Sequence, residues 1–123
     1  MSNSLVLSTA LTYSGNGITL SEYVSSLLVP VTGNGLNSLQ SFSATTAAVA
    51  IPLGSSASPG GWIYIKNNDL TNYVQVLTGT SGTVFARLLP GEFCLLRLDA
   101  TVTNPAVQAN TSGCQITFCL FDA

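Results

Sequence analysis

Histidine, the side chain that enzymes use most often as a general base, does not occur in this chain of 123 residues. The remaining groups that could do acid–base or nucleophilic chemistry are five acids, three cysteines and a single lysine. None of them stands at the spacing of a catalytic or phosphate-binding motif. The sequence therefore predicts a protein that is not an enzyme, with no catalytic residues and no cofactor.

One pair of carboxyl groups, Glu92 and Asp99, lies close enough in sequence to be compared with a glycosidase pair. Such an enzyme needs two carboxyl groups about 5 to 10 Å apart. Glu92 follows a Pro-Gly turn and Asp99 ends a predicted strand, so we interpret both as solvated turn residues. The serine within Gly79–Gly82 lacks the spacing of a nucleophile elbow and has no histidine to activate it.

The three cysteines are Cys94, Cys114 and Cys119. Their spacing of 20 and then 5 residues matches no compact zinc-binding motif, so we predict no metal site. An odd number of cysteines is typical of buried thiols in a reducing compartment. Cys114 and Cys119 are an odd number of residues apart on one predicted strand, so they should point to opposite faces and form no disulfide.

Charged residues are scarce and unevenly distributed. They make up only 7% of the chain, against about 25% in an average globular protein, while 46% of the residues are hydrophobic. Glu22 is the only charged residue between Met1 and Ile65. Because charge is depleted where proteins contact one another, we expect other polypeptides, further copies of this chain among them, to cover the N-terminal half.

Charge and hydropathy also bear on other partners. The net charge is −2 and the chain has no cluster of Lys and Arg, so it lacks the groups that neutralise a phosphate backbone. No apolar run approaches the length of about 20 residues that crosses a bilayer, and the N-terminus does not resemble a signal peptide. We therefore expect no direct nucleic-acid or membrane partner, and folding in a cytoplasm.

The pattern from Ser58 onward is typical of short strands separated by Gly, Pro and Asn clusters. Further strands are predicted within Leu39–Leu53, around Val107 and at Leu5–Leu11, which leads into a turn at Gly15-Asn16-Gly17. The connections are short enough to make neighbouring strands antiparallel. The sequence thus predicts a single domain, an all-β antiparallel β-sandwich that is jelly-roll-like. The clearest strands are Trp62–Asn67, Tyr73–Thr78, Thr83–Leu88, Phe93–Asp99 and Gln115–Phe121.

One segment departs from strand periodicity. Its apolar residues follow the spacing of a helical face: Leu20, Tyr23, Val24, Leu27 and Leu28. Thr19 and Glu22 match a capping box, and Pro30 would end the segment. We predict one short N-terminal helix here, with a strand through Tyr23–Val31 as the alternative, and residues 1–38 as an arm or contact segment.

Alternation along the predicted strands sorts their side chains into two faces. The first face is uniformly apolar and predicts the interior of the sandwich: Ile63, Ile65, Val74, Val76, Val84, Leu88, Cys94, Leu96, Leu98, Ile116, Phe118 and Leu120. The opposite face carries aromatic and arginine side chains, which are enriched at protein interfaces. Our interface candidates are Trp62, Tyr64, Tyr73, Phe85, Arg87, Phe93 and Arg97. Alternatively, part of this second set completes the fold of the monomer.

The segments WIYIKNNDLTNYVQV, which begins at Trp62, and RLLPGE, which begins at Arg87, resemble small β-sandwich structural proteins of tailed bacteriophages. The likeness extends from Leu39 to Ala123. It implies a strand ending in Asn, a polar turn, a valine-rich strand and a Leu-x-Pro-Gly-Glu hairpin. It also implies a component of a capsid or tail, and no catalytic residue is carried over.

From this resemblance we expect a virion protein, assembled in the host cytoplasm. The leading hypothesis is a capsid decoration or cement subunit that forms a homo-oligomer such as a trimer and binds the major capsid protein. Alternatives within the particle are a tail, neck or fibre component. An alternative of another class is a carbohydrate-binding module in which Trp62, Tyr64 and Tyr73 stack on sugars. A hydrolase that depends on Glu92 or Asp99 is the weakest alternative.

Overall fold

The computed structural model describes residues 4–31, 36–53 and 61–121, and in these ranges the chain is all-β and antiparallel with no helix. Two long strands form a separate two-stranded sheet, β1 (Ser4–Gly15) and β2 (Ile18–Pro30). The other eight strands are shorter: β3 (Leu36–Ala44), β4 (Val49–Ala50), β5 (Trp62–Asn67), β6 (Val74–Leu77), β7 (Val84–Leu88), β8 (Phe93–Arg97), β9 (Ala106–Ala109) and β10 (Cys114–Phe121).

These eight strands form two four-stranded sheets. The first has the order β3-β10-β5-β8 and the second the order β4-β9-β6-β7. Every hydrogen-bonded pair of neighbours is antiparallel. Consecutive strands therefore alternate between the sheets at several points, and non-consecutive strands such as β10 and β5 become neighbours. The strands predicted between Trp62 and Phe121, and the one around Val107, are all present with ends that differ by a few residues.

Both sheets contribute side chains to one hydrophobic core. Along β5, Ile63 and Ile65 are buried while Trp62, Tyr64 and Lys66 are half-buried, which is the alternation of a strand with one face inward. Val74 and Val76 of β6 and Phe118 of β10 are buried in the same cluster. The predicted interior residues belong to this cluster or pack against it, with one exception.

The exception is Val84, which is 43% exposed. The pairing of β6 with β7 shifts register between Val76 and Leu77, so that Ala86 lies opposite Val76 but Val84 lies opposite Leu77. An extra residue on one strand moves the following side chains to the other face of the sheet. The prediction of Val84 as interior was wrong because sequence alternation alone does not reveal this shift.

The N-terminal strands form a hairpin closed by Asn16 and Gly17. Both residues have positive φ, 50° and 76°, and Gly15 pairs with Ile18 across them. Two consecutive residues with positive φ are what a two-residue type I′ turn requires, and Asn-Gly is a favoured sequence for it. The predicted first strand and turn are therefore present, with β1 extended to Gly15.

The predicted short helix is wrong, because Ile18–Pro30 is strand β2 and the alternative of a strand describes this segment. The β1–β2 register shifts between Leu7 and Thr9, which face Leu27 and Val24 respectively. Ser26 has φ 56°, and its amide donates a hydrogen bond to Ser8 Oγ at 3.1 Å. This bulge places Val24 and Leu27 on one face although they are three residues apart, which imitates helical spacing.

A buried asparagine joins the ends of the two sheets. Asn67 Nδ2 donates to the carbonyl oxygens of Asn72 and Leu88, at 2.9 and 3.0 Å, and Asn67 Oδ1 accepts from the amide of Asp69 at 2.9 Å. The Asn67 backbone also bonds to Glu92 and Gly91. The WIYIKNND and RLLPGE segments are thus the two halves of one hydrogen-bonded junction. Their residue types are explained by the fold.

Candidate interaction surface

The β1–β2 hairpin has one apolar face, and its opposite face is mainly polar in the half that lies toward the turn. Residues opposite each other in an antiparallel pair share a face, and alternate residues along a strand share a face. The pairing therefore groups the residues that we call the hairpin apolar face: Leu5, Leu7, Thr9, Leu11, Tyr13, Ile18, Leu20, Glu22, Val24, Leu27 and Val29. The opposite face of the distal half contains mainly Ser and Thr, with Ala10 and Tyr23.

Most of the hairpin apolar face is exposed. Leu7 and Val29, at its base, are buried, but Leu11, Tyr13 and Ile18 toward the turn are 62%, 50% and 58% exposed. Leu20, Val24 and Leu27 are each exposed by more than two fifths. A two-stranded hairpin by itself is marginally stable in water, because it has no second layer on which to bury its apolar side chains. This face is therefore a surface that requires a cover.

The size of the face can be estimated from these side chains. Six of them are about half exposed, and each leaves on the order of 100 Å² of apolar surface in contact with water. The total of about 600 Å² is at the upper end of the contiguous apolar patches found on monomeric proteins. Patches of this size are typical of sites that bind another protein or a ligand.

The predicted interface residues do not form one surface. The first sheet brings together Trp62, Tyr64, Phe93 and Arg97, which we call the aromatic patch. Trp62 lies opposite Arg97 across β5 and β8, with the guanidinium 5.6 Å from the indole centroid. Tyr64 and Phe93 are 6.1 Å apart between ring centroids and tilted by 36°. Phe93 is 61% exposed, whereas Trp62 and Tyr64 are half-buried.

The other three candidates belong to the second sheet or its approach. The guanidinium of Arg87 lies 4.2 Å from the ring centroid of Tyr73, and Phe85 is 44% exposed on the edge strand β7. An arginine over an aromatic ring is a favourable contact within one chain. Tyr73 is mostly buried, so this pair partly completes the fold of the monomer, which agrees with the alternative interpretation.

The indole Nε1 of Trp62 is buried, and among the described residues none accepts a hydrogen bond from it. A buried N–H without an acceptor is costly, but a docking partner does not reach this atom because it is enclosed within the chain. Trp62 is also a poor sugar-stacking platform, since most of the residue is already covered.

The hairpin apolar face and the first sheet, which carries the aromatic patch, have charges of opposite sign. Glu22 is the only charged residue of β1 and β2. The strands of the first sheet contain two basic residues, Lys66 and Arg97, and no acidic one. Lys66 lies directly opposite Phe93 and therefore beside the aromatic patch.

The acids proposed for glycosidase chemistry have turn roles in the structure. Glu92 Oε1 accepts a hydrogen bond from the amide of Leu89 at 2.8 Å. Asp99 accepts from the hydroxyl and the amide of Thr101, and these two bonds hold the pKa of Asp99 below its usual value. In the same way, the amides of Asn72 and Thr71 lower the pKa of Asp69. The turns at Asp69 and Asp99 therefore produce the opposite of the raised carboxyl pKa that a general acid needs.

The cysteines are unpaired thiols in the apolar parts of the fold. Cys114 lies in the core, whereas Cys119 pairs with Tyr64 on the outer side of β10, so the two point to opposite faces as the strand pattern predicts. Burial raises the pKa of Cys94, Cys114 and Cys119. Thiols with a raised pKa are poor nucleophiles, because the thiolate is the reactive form.

A shallow depression of about 520 Å³ lies between two turns, lined by Thr78–Gly82 and by Thr101, Thr103 and Asn104. Its lining offers hydroxyl and backbone groups and no ionisable side chain. Within residues 4–31, 36–53 and 61–121, no group of three His, Cys, Asp or Glu residues could hold a metal ion. In these ranges there is also no helix long and apolar enough to span a membrane.

Sequence reasoning missed the hairpin apolar face, although a signal for it was present. Leu5, Leu7, Thr9, Leu11 and Tyr13 alternate with polar or small residues, apart from Val6, which is the pattern of a strand with one apolar face. The bulge at Ser25–Ser26 concealed the matching pattern on the second strand.

Comparison of the chain with protein-family models, with curated protein sequences and with solved structures gave no match.

Proposed function

We propose that this chain is a non-enzymatic structural subunit of a bacteriophage particle, in first place a capsid decoration or cement protein. The observation that carries the proposal is the hairpin apolar face, an exposed and nearly uncharged strand pair that extends from a well-packed body. In the assembled particle this face is covered by other subunits. The protein acts by binding neighbouring capsid proteins and further copies of itself.

The strand order of the body supports the same proposal. We assign the sheets β3-β10-β5-β8 and β4-β9-β6-β7 to a β-sandwich of jelly-roll type, in which successive strands alternate between two four-stranded sheets. Jelly rolls are common in viral capsid proteins and also occur in lectins. The resemblance of the WIYIKNND and RLLPGE segments to phage structural proteins favours the first of these classes.

Binding energy alone explains how such a subunit works. Burial of about 600 Å² of apolar surface is worth on the order of 15 kcal/mol before costs. Association itself costs about 4 to 15 kcal/mol, so one hairpin contributes a weak contact. Several contacts made at once by neighbouring subunits reinforce one another through high effective concentration. A homo-oligomer such as a trimer that binds several capsid proteins would stabilise a shell in this way.

Cosedimentation with shells tests the proposal. We expect the purified chain to pellet with preformed shells of the phage that encodes it and to remain in the supernatant without them. Leu20→Lys, on the hairpin apolar face, should reduce the bound fraction at least tenfold, whereas Ser21→Lys, on the opposite face, should not. A wild-type chain that never pellets with shells would contradict the decoration role. Binding to purified tails instead would favour a tail, neck or fibre component.

A carbohydrate-binding module is the second candidate, because Tyr64, Phe93 and Trp62 form an aromatic cluster on one sheet. Aromatic rings on a sheet surface can stack on sugars, and lectins share the proposed fold. Titration of the purified chain with soluble glycans, followed by calorimetry, separates the two candidates. Saturable heat that disappears in Phe93→Ala would favour glycan binding over the structural role.

A further inference from the structure

We propose that the hairpin apolar face of one chain docks on the aromatic patch of a second copy of the same chain. This inference rests on the proposed structural role and names a partner for its main surface. The occupant of the face is thus the first sheet of a neighbouring subunit. Each chain gives one hairpin to a neighbour and accepts one hairpin in return.

The two surfaces match in chemistry, since both are mainly apolar. The hairpin supplies mainly branched aliphatic side chains, Leu20 and Val24 among them, while the patch supplies aromatic rings, Tyr64 and Phe93. The exposed part of the hairpin face runs from Ile18 to Leu27, about 30 Å at 3.3 Å per residue, and is therefore long enough to cover the six-residue strand β5, which is about 20 Å long.

Charge selects the patch over another hairpin as the partner. Glu22 lies on the hairpin apolar face opposite Leu11, while Lys66 and Arg97 are the charged residues on the strands of the first sheet. Docking with Glu22 at the Lys66 end of the patch brings the carboxylate near this cation, while Arg97 lies at the other end of the β5–β8 pair. Packing two hairpin apolar faces against each other would instead bring the Glu22 carboxylates of both copies into one apolar layer, where like charges repel.

The area involved also favours reciprocal exchange between copies. One hairpin face provides about 600 Å², somewhat less than the about 800 Å² per partner of a stable interface. A chain that gives its hairpin and also accepts a neighbour's hairpin on the patch buries more than this standard amount. A closed assembly in which every hairpin is accepted leaves no apolar face exposed.

Photo-crosslinking of the full chain tests the inference. Leu20 is replaced by p-benzoylphenylalanine, and the variant is mixed in equal amounts with ¹⁵N-labelled wild-type chain before irradiation, so that mixed-isotope adducts identify contacts between copies. We expect adducts of the Leu20 position with peptides that contain β5 or β8. The same probe at Ser21, the adjacent residue on the opposite face, should give at least tenfold fewer.

The outcomes separate this inference from the proposed function. Mixed-isotope adducts confined to residues 4–30 would show that hairpins pack on one another, and the inference would be wrong. Adducts with a capsid protein in the presence of shells, with none between copies, would also overturn the inference while supporting the structural role. Adducts at β5 or β8 in a protein that does not pellet with shells would support the inference and count against the decoration role.

A charge exchange provides a second measurement. Glu22→Lys should weaken self-association by about tenfold in sedimentation equilibrium, because it places a cation beside Lys66. Lys66→Glu in the same chain should recover most of the loss. If Glu22→Lys leaves self-association unchanged, or if Lys66→Glu worsens the loss, then docking of the hairpin on the patch is contradicted.

Discussion

The hairpin and the eight-stranded body both consist of antiparallel strands, yet the body buries its apolar side chains and the hairpin leaves most of them exposed. In the body, Ile63, Val76 and Phe118 are almost completely buried in a core to which both four-stranded sheets contribute. In the hairpin, Leu11 and Ile18 lie on the apolar face of an amphipathic strand pair but remain more than half exposed. A sheet needs a second layer to bury its apolar face, and among the described residues two sheets share a core in the body alone.

This difference in burial gives the body and the hairpin different roles. The body obtains its stability within one chain, through its core and the Asn67 junction. The hairpin has no comparable internal source of stability, so its apolar face is available for a partner. Substitutions in the body should therefore change the free energy of unfolding, whereas substitutions on the hairpin apolar face should change association.

The largest effect is expected for Phe118→Ala. Phe118 is 1% exposed in the core, and its truncation should lower the free energy of unfolding by about 3 to 5 kcal/mol. Phe93→Ala is the matched control, since Phe93 is 61% exposed, and should cost less than about 1 kcal/mol. Urea denaturation of both variants measures the two values. Equal losses would contradict the assignment of Phe93 to an outer surface.

The next largest effect is expected for Asn67→Ala. The substitution removes two donated hydrogen bonds and one accepted bond at a fully buried position, so we expect a loss of about 2 to 3 kcal/mol in urea denaturation. Asn68→Ala removes one exposed bond, to Thr117, and should cost well under about 1 kcal/mol.

A smaller effect on stability but a clear one on association is expected for Leu20→Lys. Leu20 is already 45% exposed, so its replacement should change the free energy of unfolding of the monomer by less than about 1 kcal/mol. Sedimentation velocity should nevertheless show at least tenfold weaker self-association. Ser21→Lys adds the same charge to the other face, and similar behaviour of the two variants would remove the distinction between the faces.

The smallest effect concerns the acidic turns of the body. The pKa values of Asp69 and Asp99 are lowered from 3.8 in the folded chain, by hydrogen bonds from Asn72 and Thr101 respectively. The unfolded chain therefore binds protons more readily than the folded chain. The stabilisation of the fold by these two carboxylates is fully present at a pH above 3.8 and is lost as the pH falls through the folded pKa. The urea midpoint should decrease in this acidic range, and the decrease should be smaller in Asp69→Asn/Asp99→Asn. If the double substitution leaves the decrease of the urea midpoint unchanged, the decrease is due to other carboxyl groups.

Much of the body could be predicted from sequence because its strands follow simple alternation. Trp62–Asn67 was predicted with the observed bounds, and the residues predicted as interior belong to the core or pack against it, except for Val84. The N-terminal segment could not be predicted as well, because one bulge at Ser26 changes the phase of the strand and reproduces a helical spacing. The lack of charge in the N-terminal half correctly pointed to the sparsely charged hairpin surface. The segment that forms β2 of this surface, however, was predicted as a helix.

Composition and local pattern by themselves determined the scarcity of charge, the β-strands of the body, the Asn-Gly turn and the inward and outward sides of most strands. These properties depend on residues that are close in sequence. Only the tertiary structure decided that Trp62, Tyr64, Phe93 and Arg97 lie together while Tyr73, Phe85 and Arg87 lie elsewhere. It also decided that no described residue covers the apolar face of the hairpin toward its turn, since strand order and sheet packing depend on contacts between residues that are distant along the chain.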